Sequence, residues 1–280
     1  MSHNGSTTVF GVIGDPVAHS FSPQIHGYFA EICGVNMAYL PFHVKDRYIS
    51  DALRGAHALG IRGLNVTVPH KKLVMPHLVH INPMALKVGA VNTLLWTEEG
   101  YAGYNTDYIG IERTVLSFSD RRVTVIGAGG SAYAACIAAA KGGASCINII
   151  NRSLDNANAL AYHVNTYYNI PINVFTLDKF SNSDIVIQTT TLGFGNTKDK
   201  SPVLDLSLFD DVQLVLDIIY SPWETVFMRQ AKAAGVPKVL NGFTMLVYQA
   251  VSSFELWHTE ERIQDEEIHI GILSKRLHVN

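Results

Sequence analysis

The sequence predicts an α/β protein made of two consecutive units in which strands alternate with helices. Three observations carry this. Short apolar runs alternate with stretches of helical spacing along most of the chain. In the second half the strand runs CINII (146–150), DIVIQ (184–188) and LVLDII (214–219) are continuously apolar, as in a parallel sheet covered on both faces. A glycine turn at Gly127, Gly129 and Gly130 joins one such strand to an alanine-rich helix. The length of 280 residues fits about two domains, with a boundary expected near Asp107 to Arg121.

In the first half, Val9 to Ile13 reads as a short strand that breaks at Gly14-Asp15-Pro16. Ser22 is expected as an N-cap with Pro23 at the first helical position. Ile25, Phe29, Ile32 and Cys33 then recur at helical spacing, and Gly34 supplies the stop. A second helix covers Arg47 to Leu59 and ends at Gly60. Gly63 to Val68 is a strand closed by Pro69. Val91 to Trp96 and Tyr101 to Tyr104 form a hairpin around Thr97-Glu98-Glu99-Gly100. The second series opens near Arg122 with strand, glycine turn and helix. Towards the end, Met245 to Trp257 is a strongly apolar helix and Glu261 to Leu277 a more amphipathic one.

Composition excludes several classes. A chain that is 48% hydrophobic with a net charge of -3 is not disordered. Its 21 basic residues against 24 acidic ones leave no basic excess for a nucleic acid. Charged residues make up only 16%, which raises the question of a membrane protein. The longest uncharged run, Val123 to Ala140, reaches the lower limit of about 18 residues for a spanning helix. The three glycines break it in the middle, so a strand, a turn and a helix fit better than a membrane span. Cys33, Cys136 and Cys146 read as buried free thiols rather than a disulfide framework or zinc site. The 12 histidines lack metal-ligand spacing, so no metal is expected. MSHNGSTT has no apolar segment after it and is not a signal peptide. A cytoplasmic protein follows, a monomer or a homodimer, since no coiled coil or interface pattern decides between them.

Gly127, Gly129 and Ala132 satisfy G-x-G-x-x-[GA] between a strand and a helix. The first glycine makes the tight turn, the second lets a pyrophosphate approach the backbone, and the small third residue lets helix pack on strand. The amides of Ala128, Gly129, Gly130 and Ser131 are therefore candidate phosphate donors. The alternative is a plain tight turn. The next strand ends in Asn151-Arg152-Ser153, where NAD would call for a carboxylate on the ribose. A guanidinium there suits the extra phosphate of NADP. NADP is the expected cofactor, with NAD still possible through Asp155.

Polar residues of the first half stand at strand ends and turns: Ser20 and Ser22, Asn65, Thr67 and Lys71 in NVTVPHK, Asn92 in GAVNT, and Asp107 in GYNTD. A small ligand with hydroxyls and a carboxylate needs such a mixture of donors and acceptors. HSFSP, NVTVPHK, GAVNT, GYNTD, GAGGS, NRS and MLVYQ occur in the order seen in shikimate dehydrogenases, and the chain resembles that family from about Phe10 to Trp257.

The resemblance implies an N-terminal αβ substrate domain with a mixed sheet and a Rossmann-like domain. Residues 1–107 and 242–280 would form the substrate-binding catalytic part, and 108–241 the NADP-binding part. It implies reversible oxidation of shikimate to 3-dehydroshikimate, with Lys71 as general acid/base paired with Asp107. Ser20, Ser22 and Tyr220 would hold the carboxylate, and Thr67, Asn92 and Gln249 the ring hydroxyls. On the cofactor side it adds Ile218 and Thr244. Quinate or an amino analogue with NAD is the alternative, as is a binding protein with little turnover.

Four positions depart from the family pattern, all on the cofactor side. Only one arginine stands in NRSLDN, Gln188 replaces an asparagine, Tyr133 stands where arginine is common, and Thr244 replaces a glycine. The last would be strained if the backbone there needed φ above zero.

Overall fold

The computed structural model describes residues 4–177, 182–203 and 206–278. It divides into two compact units, Met1–Asp107 with Val247–Asn280, and Tyr108–Leu246. The second is thus inserted into the first.

The first unit contains β1 (Thr8–Gly14), α1 (Ser22–Cys33), β2 (Met37–His43), α2 (Ile49–Ala58), β3 (Gly63–Val66), β4 (His80–Ile81), α3 (Pro83–Val88), β5 (Thr93–Thr97) and β6 (Gly100–Tyr104). Its sheet has the order β2-β1-β3-β5-β6-β4 and is mixed. β1 lies parallel to β2 and β3, whereas β5 runs antiparallel to β3 and β6. Ile13, Leu64, Val66, Val74, Val91 and Leu94 fill its core. Helix α4 (Asp107–Val115) leads into the second unit.

There, β7 (Arg122–Ile126), α5 (Gly130–Lys141), β8 (Cys146–Ile150), α6 (Leu154–Tyr167), β9 (Ile172–Phe175), β10 (Ile185–Gln188), β11 (Leu214–Asp217), α7 (Val226–Ala233) and β12 (Lys238–Leu240) follow in turn. The sheet order is β12-β11-β10-β7-β8-β9, every neighbouring pair parallel. Strand order reverses between β7 and β10, as in doubly wound nucleotide-binding sheets. Val186, Val215, Phe209 and Phe227 anchor a core of their own. The chain ends with α8 (Phe243–Trp257) and α9 (Glu266–His278).

Helix α8 returns to the first sheet through its last residue. Trp257 lies on β3 at Gly63, where any Cβ would collide with the indole ring. The indole Nε1–H donates to the Leu94 carbonyl at 3.0 Å.

Several local expectations need correction. Ser22 is the first residue of α1 rather than its cap; Phe21 holds the cap position, without a side-chain bond. Ile25 and Phe29 are buried, but Ile32 is exposed and Cys33 half-buried, because only part of the helical stripe faces the sheet. Cys146 is also half-buried, and only Cys136 is enclosed, where burial pushes its thiol pKa up. Strand β3 ends at Val66, before Val68, and α9 starts at Glu266, after Glu261. Thr244 lies inside α8, in helical backbone that a threonine adopts without strain. Tyr133 is buried on α5 with its ring 5.2 Å from that of His163. Among the described residues no helix is long and apolar enough to cross a membrane, and no group of three His, Cys, Asp or Glu could hold a metal.

Candidate active site

Register gathers the polar residues of the first unit at one end of its sheet. β1 and β3 are parallel, so both finish there, Ile13 beside Val66. Ser20 and Ser22 follow β1, and Thr67 and Lys71 follow β3. β5 runs the other way and starts at that end, with Thr93 opposite both Asn65 and Tyr104. Asn92 precedes β5, and Asn105, Thr106 and Asp107 follow β6.

The side chains then meet. Lys71 Nζ donates to Asp107 Oδ2 at 2.7 Å, and the two side chains are only 12% and 7% exposed. Asn92 Nδ2 donates to the other carboxylate oxygen at 2.9 Å and to Gln249 Oε1 at 3.3 Å. Asn92 Oδ1 accepts from the Thr106 amide at 2.7 Å. One amide side chain therefore fixes the carboxylate, which fixes the lysine. Such charge-assisted bonds are short and directional, and in a poorly hydrated site they hold the ammonium at one point.

Behind this group lies a second tier, of which sequence reasoning singled out only Asn65. Ser253 Oγ is 2.9 Å from Thr93 Oγ1 and 3.1 Å from Thr106 Oγ1, and accepts from Asn65 Nδ2 at 3.0 Å. Tyr39 donates its hydroxyl to Asn65 Oδ1 at 2.7 Å. A signal was present: Ser253 stands four residues after Gln249, on the same helix face, and Thr93 and Thr106 lie inside GAVNT and GYNTD.

Ser20 and Ser22 pair with each other, their hydroxyls 3.1 Å apart, at the start of α1. Thr67 continues the line of β3, its amide donating to Ile13 O at 2.9 Å. Tyr220 belongs to the second unit and is half-buried after β11.

The second unit places its candidates beyond the carboxyl ends of parallel strands, where ligands of such sheets bind. Gly127 follows β7 with φ of +116°, and a Cβ there would come 2.6 Å from Thr189 Oγ1. Gly129 is open, with no heavy atom within 4 Å of a Cβ position. Gly130 and Ser131 begin α5, where first-turn amides have no helical acceptor. Ala132 is fully buried. A left-handed first glycine, free space at the second and a small third residue fit a pyrophosphate. Asn151, Arg152 and Ser153 follow β8. Arg152 is exposed, Asn151 donates to Ser153 O at 2.9 Å, and the Ser153 hydroxyl caps α6. Ile218 follows β11, its amide donating to Gln188 O at 3.1 Å. Thr244 is half-buried near the start of α8.

Fold and site together are those of a dehydrogenase built on two α/β units, each with its own sheet and core. Comparison with known proteins narrows the class. A family model described as the shikimate dehydrogenase substrate binding domain matches residues 12–94, and one described as shikimate / quinate 5-dehydrogenase matches residues 111–194. An NADP(+) shikimate dehydrogenase of Caldanaerobacter subterraneus subsp. tengcongensis is 39% identical over 93% of this chain and 95% of its own. A crystal structure of a shikimate dehydrogenase in complex with NADP+ superposes with a TM-score of 0.89 at 34% identity, covering 99% of this chain and 98% of its own. The Thermus thermophilus enzyme in complex with NADP(H) and shikimate gives 0.84 at 29% identity, covering 96% and 99%. The chain belongs to the shikimate dehydrogenase family.

Proposed function

We propose that this protein catalyses the reversible NADP-linked oxidation of shikimate to 3-dehydroshikimate. The observation that carries the reading is the enclosed Lys71–Asp107 pair, locked by Asn92 and joined to Gln249. Bound NADP supplies the acceptor for hydride in oxidation and its donor in reduction. The rest of the chemistry is proton handling. In reduction the ketone oxygen becomes an alkoxide, and Lys71 as ammonium stabilises that charge and donates the proton. In oxidation the neutral amine of Lys71 takes the hydroxyl proton. Asp107 keeps Nζ aimed at the reacting oxygen, while Asn92 and Gln249 offer donors and acceptors to neighbouring hydroxyls. Ser20, Ser22 and Tyr220 hold the carboxylate end, and Thr67 a ring hydroxyl.

On the nucleotide side, the turn Gly127–Ser131 receives the pyrophosphate and Asn151, Arg152 and Ser153 the adenosine end. Ile218 and Thr244 flank the nicotinamide. Substrate binding falls to the unit of 1–107 and 247–280, and nucleotide binding to the unit of 108–246. The enzyme works in the cytoplasm as a monomer or homodimer.

One observation supports a second reading, NAD as cofactor with shikimate or quinate. Arg152 is the one basic residue in NRSLDN, and Ser153 is already engaged as a helix cap. Rates on shikimate and quinate with each cofactor, followed by nicotinamide absorbance, decide between them. Lys71→Ala should lower kcat by about 10²–10⁴-fold, the scale of general acid/base catalysis, and leave shikimate binding largely intact. Turnover retained in that variant overturns the assigned role.

A further inference from the structure

The second unit contains a buried polar group that the chemistry above does not use. Gln188, at the end of β10, is fully buried. Its Oε1 accepts from the Thr190 amide, and its Nε2 donates to Thr190 O and Leu192 O at 3.2 Å each and to Asp217 Oδ1 at 3.3 Å. Asp217, at the end of β11, is also fully buried. Its carboxylate accepts from the Ile219 amide at 3.0 Å and from Thr225 Oγ1 at 2.6 Å. All of these partners are neutral. Burial pushes the Asp217 carboxyl up to about 6, against the pull of Thr225, the Ile219 amide and Gln188.

The two loops so joined reach the surfaces that would touch a dinucleotide. Thr189 Oγ1 donates to Ile126 O at 2.7 Å and backs the Gly127 turn. On the other side Gly193, at φ of +104°, sits so close that a Cβ would come 3.3 Å from Ile219 and from Thr225. The Gly242 amide donates to Ile219 O at 3.0 Å, just before α8 and Thr244. In a doubly wound sheet the adenine-side ribose is read at the strand next to the glycine turn, here β8. A nicotinamide half would then face the loops that follow β10 and β11.

We infer that Gln188, with Asp217 and Thr225, is a positioning residue for the nicotinamide half of the cofactor: it ties the loop after β10 to the loop after β11 and so sets the wall on which that half rests. This rests on the NADP-dependent reading above. One glutamine amide thus lies within hydrogen-bond reach of both loop carbonyls and the Asp217 carboxylate. Replacing it would let the loop sample other arrangements, and affinity falls in proportion to the competent fraction.

The test uses the full chain with Gln188→Met, close in length but without polar atoms, and Thr225→Val. NADP affinity is measured by calorimetry, shikimate KM by steady-state rates, and amide hydrogen exchange at Thr190 and Leu192 in cofactor-free protein. Gln188→Met should weaken NADP by about tenfold, as for a loop that is competent one time in ten. Exchange at both amides should speed up while shikimate KM stays within about twofold. Thr225→Val should show the same pattern at about threefold, and it decides the matter if Gln188→Met does not fold. Unchanged NADP affinity in a folded variant, or an equal loss for shikimate, overturns the proposal. If the wild-type protein binds no NADP, the functional reading falls instead, and the exchange rates alone report whether the pair holds the loop.

Discussion

His26 stacks on Tyr39 with ring centroids 4.3 Å apart, and Phe29, Phe254 and Trp257 enclose it. Burial lowers its pKa to about 3; His258 adds to that, and the Asn65 side chain opposes it. The unfolded chain takes up this proton near pH 6.5, whereas the folded chain resists it down to about 3. The unfolded state therefore binds more protons within that window, so the stabilisation is full above about 6.5 and is lost as pH falls. Between pH 7 and 5 the wild-type protein should lose about 2 kcal/mol more than His26→Phe in denaturant titrations. Parallel slopes for the two proteins would remove His26 as the cause. Tyr39, the same residue that stacks on His26, also donates to Asn65, so one aromatic side chain joins this apolar pocket to the polar tier under Asp107.

Among the elements, α8 carries the most. Gln249 and Ser253 project from successive turns, the first to Asn92 and the second to Asn65, Thr93 and Thr106. Ser253→Ala removes one acceptor of Asn65 Nδ2, which keeps the Asn92 carbonyl and the Thr93 hydroxyl, and should cost about 0.5–1.5 kcal/mol in denaturant stability. It should also lower kcat on shikimate, because Thr106 and Asn92 lose their backing; a variant matching wild type in both would show that the tier is passive. The apolar character of α8 and the motif MLVYQ were plain from residue order alone. Its seat on β3 and β5 was not, since that depends on a pairing across most of the chain length. The same limit explains the strands that periodicity did not mark. β4 and β12 are very short, β9 lies at a sheet edge, and β2 is an edge strand carrying Pro41. Edge and short strands lack the continuous burial that makes β7, β8, β10 and β11 legible. Ser22 was misplaced by one residue because Ser-Pro suits both a cap and a first turn, and only the backbone of Phe21 decides. The long-range hydrogen bonds of Gln188 were equally out of reach, although its replacement of an asparagine marked the position.

At the scale of the whole molecule, each unit has its own sheet and its own core. Ligand binding should therefore register separately in amide exchange. NADP should slow exchange within 108–246, at the ends of β7 and β10 above all, and shikimate within 1–107 and 247–280. Protection by NADP confined to the first unit would refute this division of labour. The insertion also has a consequence for the order in which the protein comes into being. Synthesis proceeds from the N-terminus at about 5–20 residues per second, and domains generally fold as units. Asn65, Thr93 and Thr106 leave the ribosome long before Ser253, their eventual partner, and Gly63 waits as long for Trp257. The inserted unit has all of its strands by Leu240 and can close while the sheet that precedes it is still missing its cover. The segment made first is thus the last to be completed, and a released chain truncated just before α8 should present a protease-resistant second unit attached to a protease-sensitive first one.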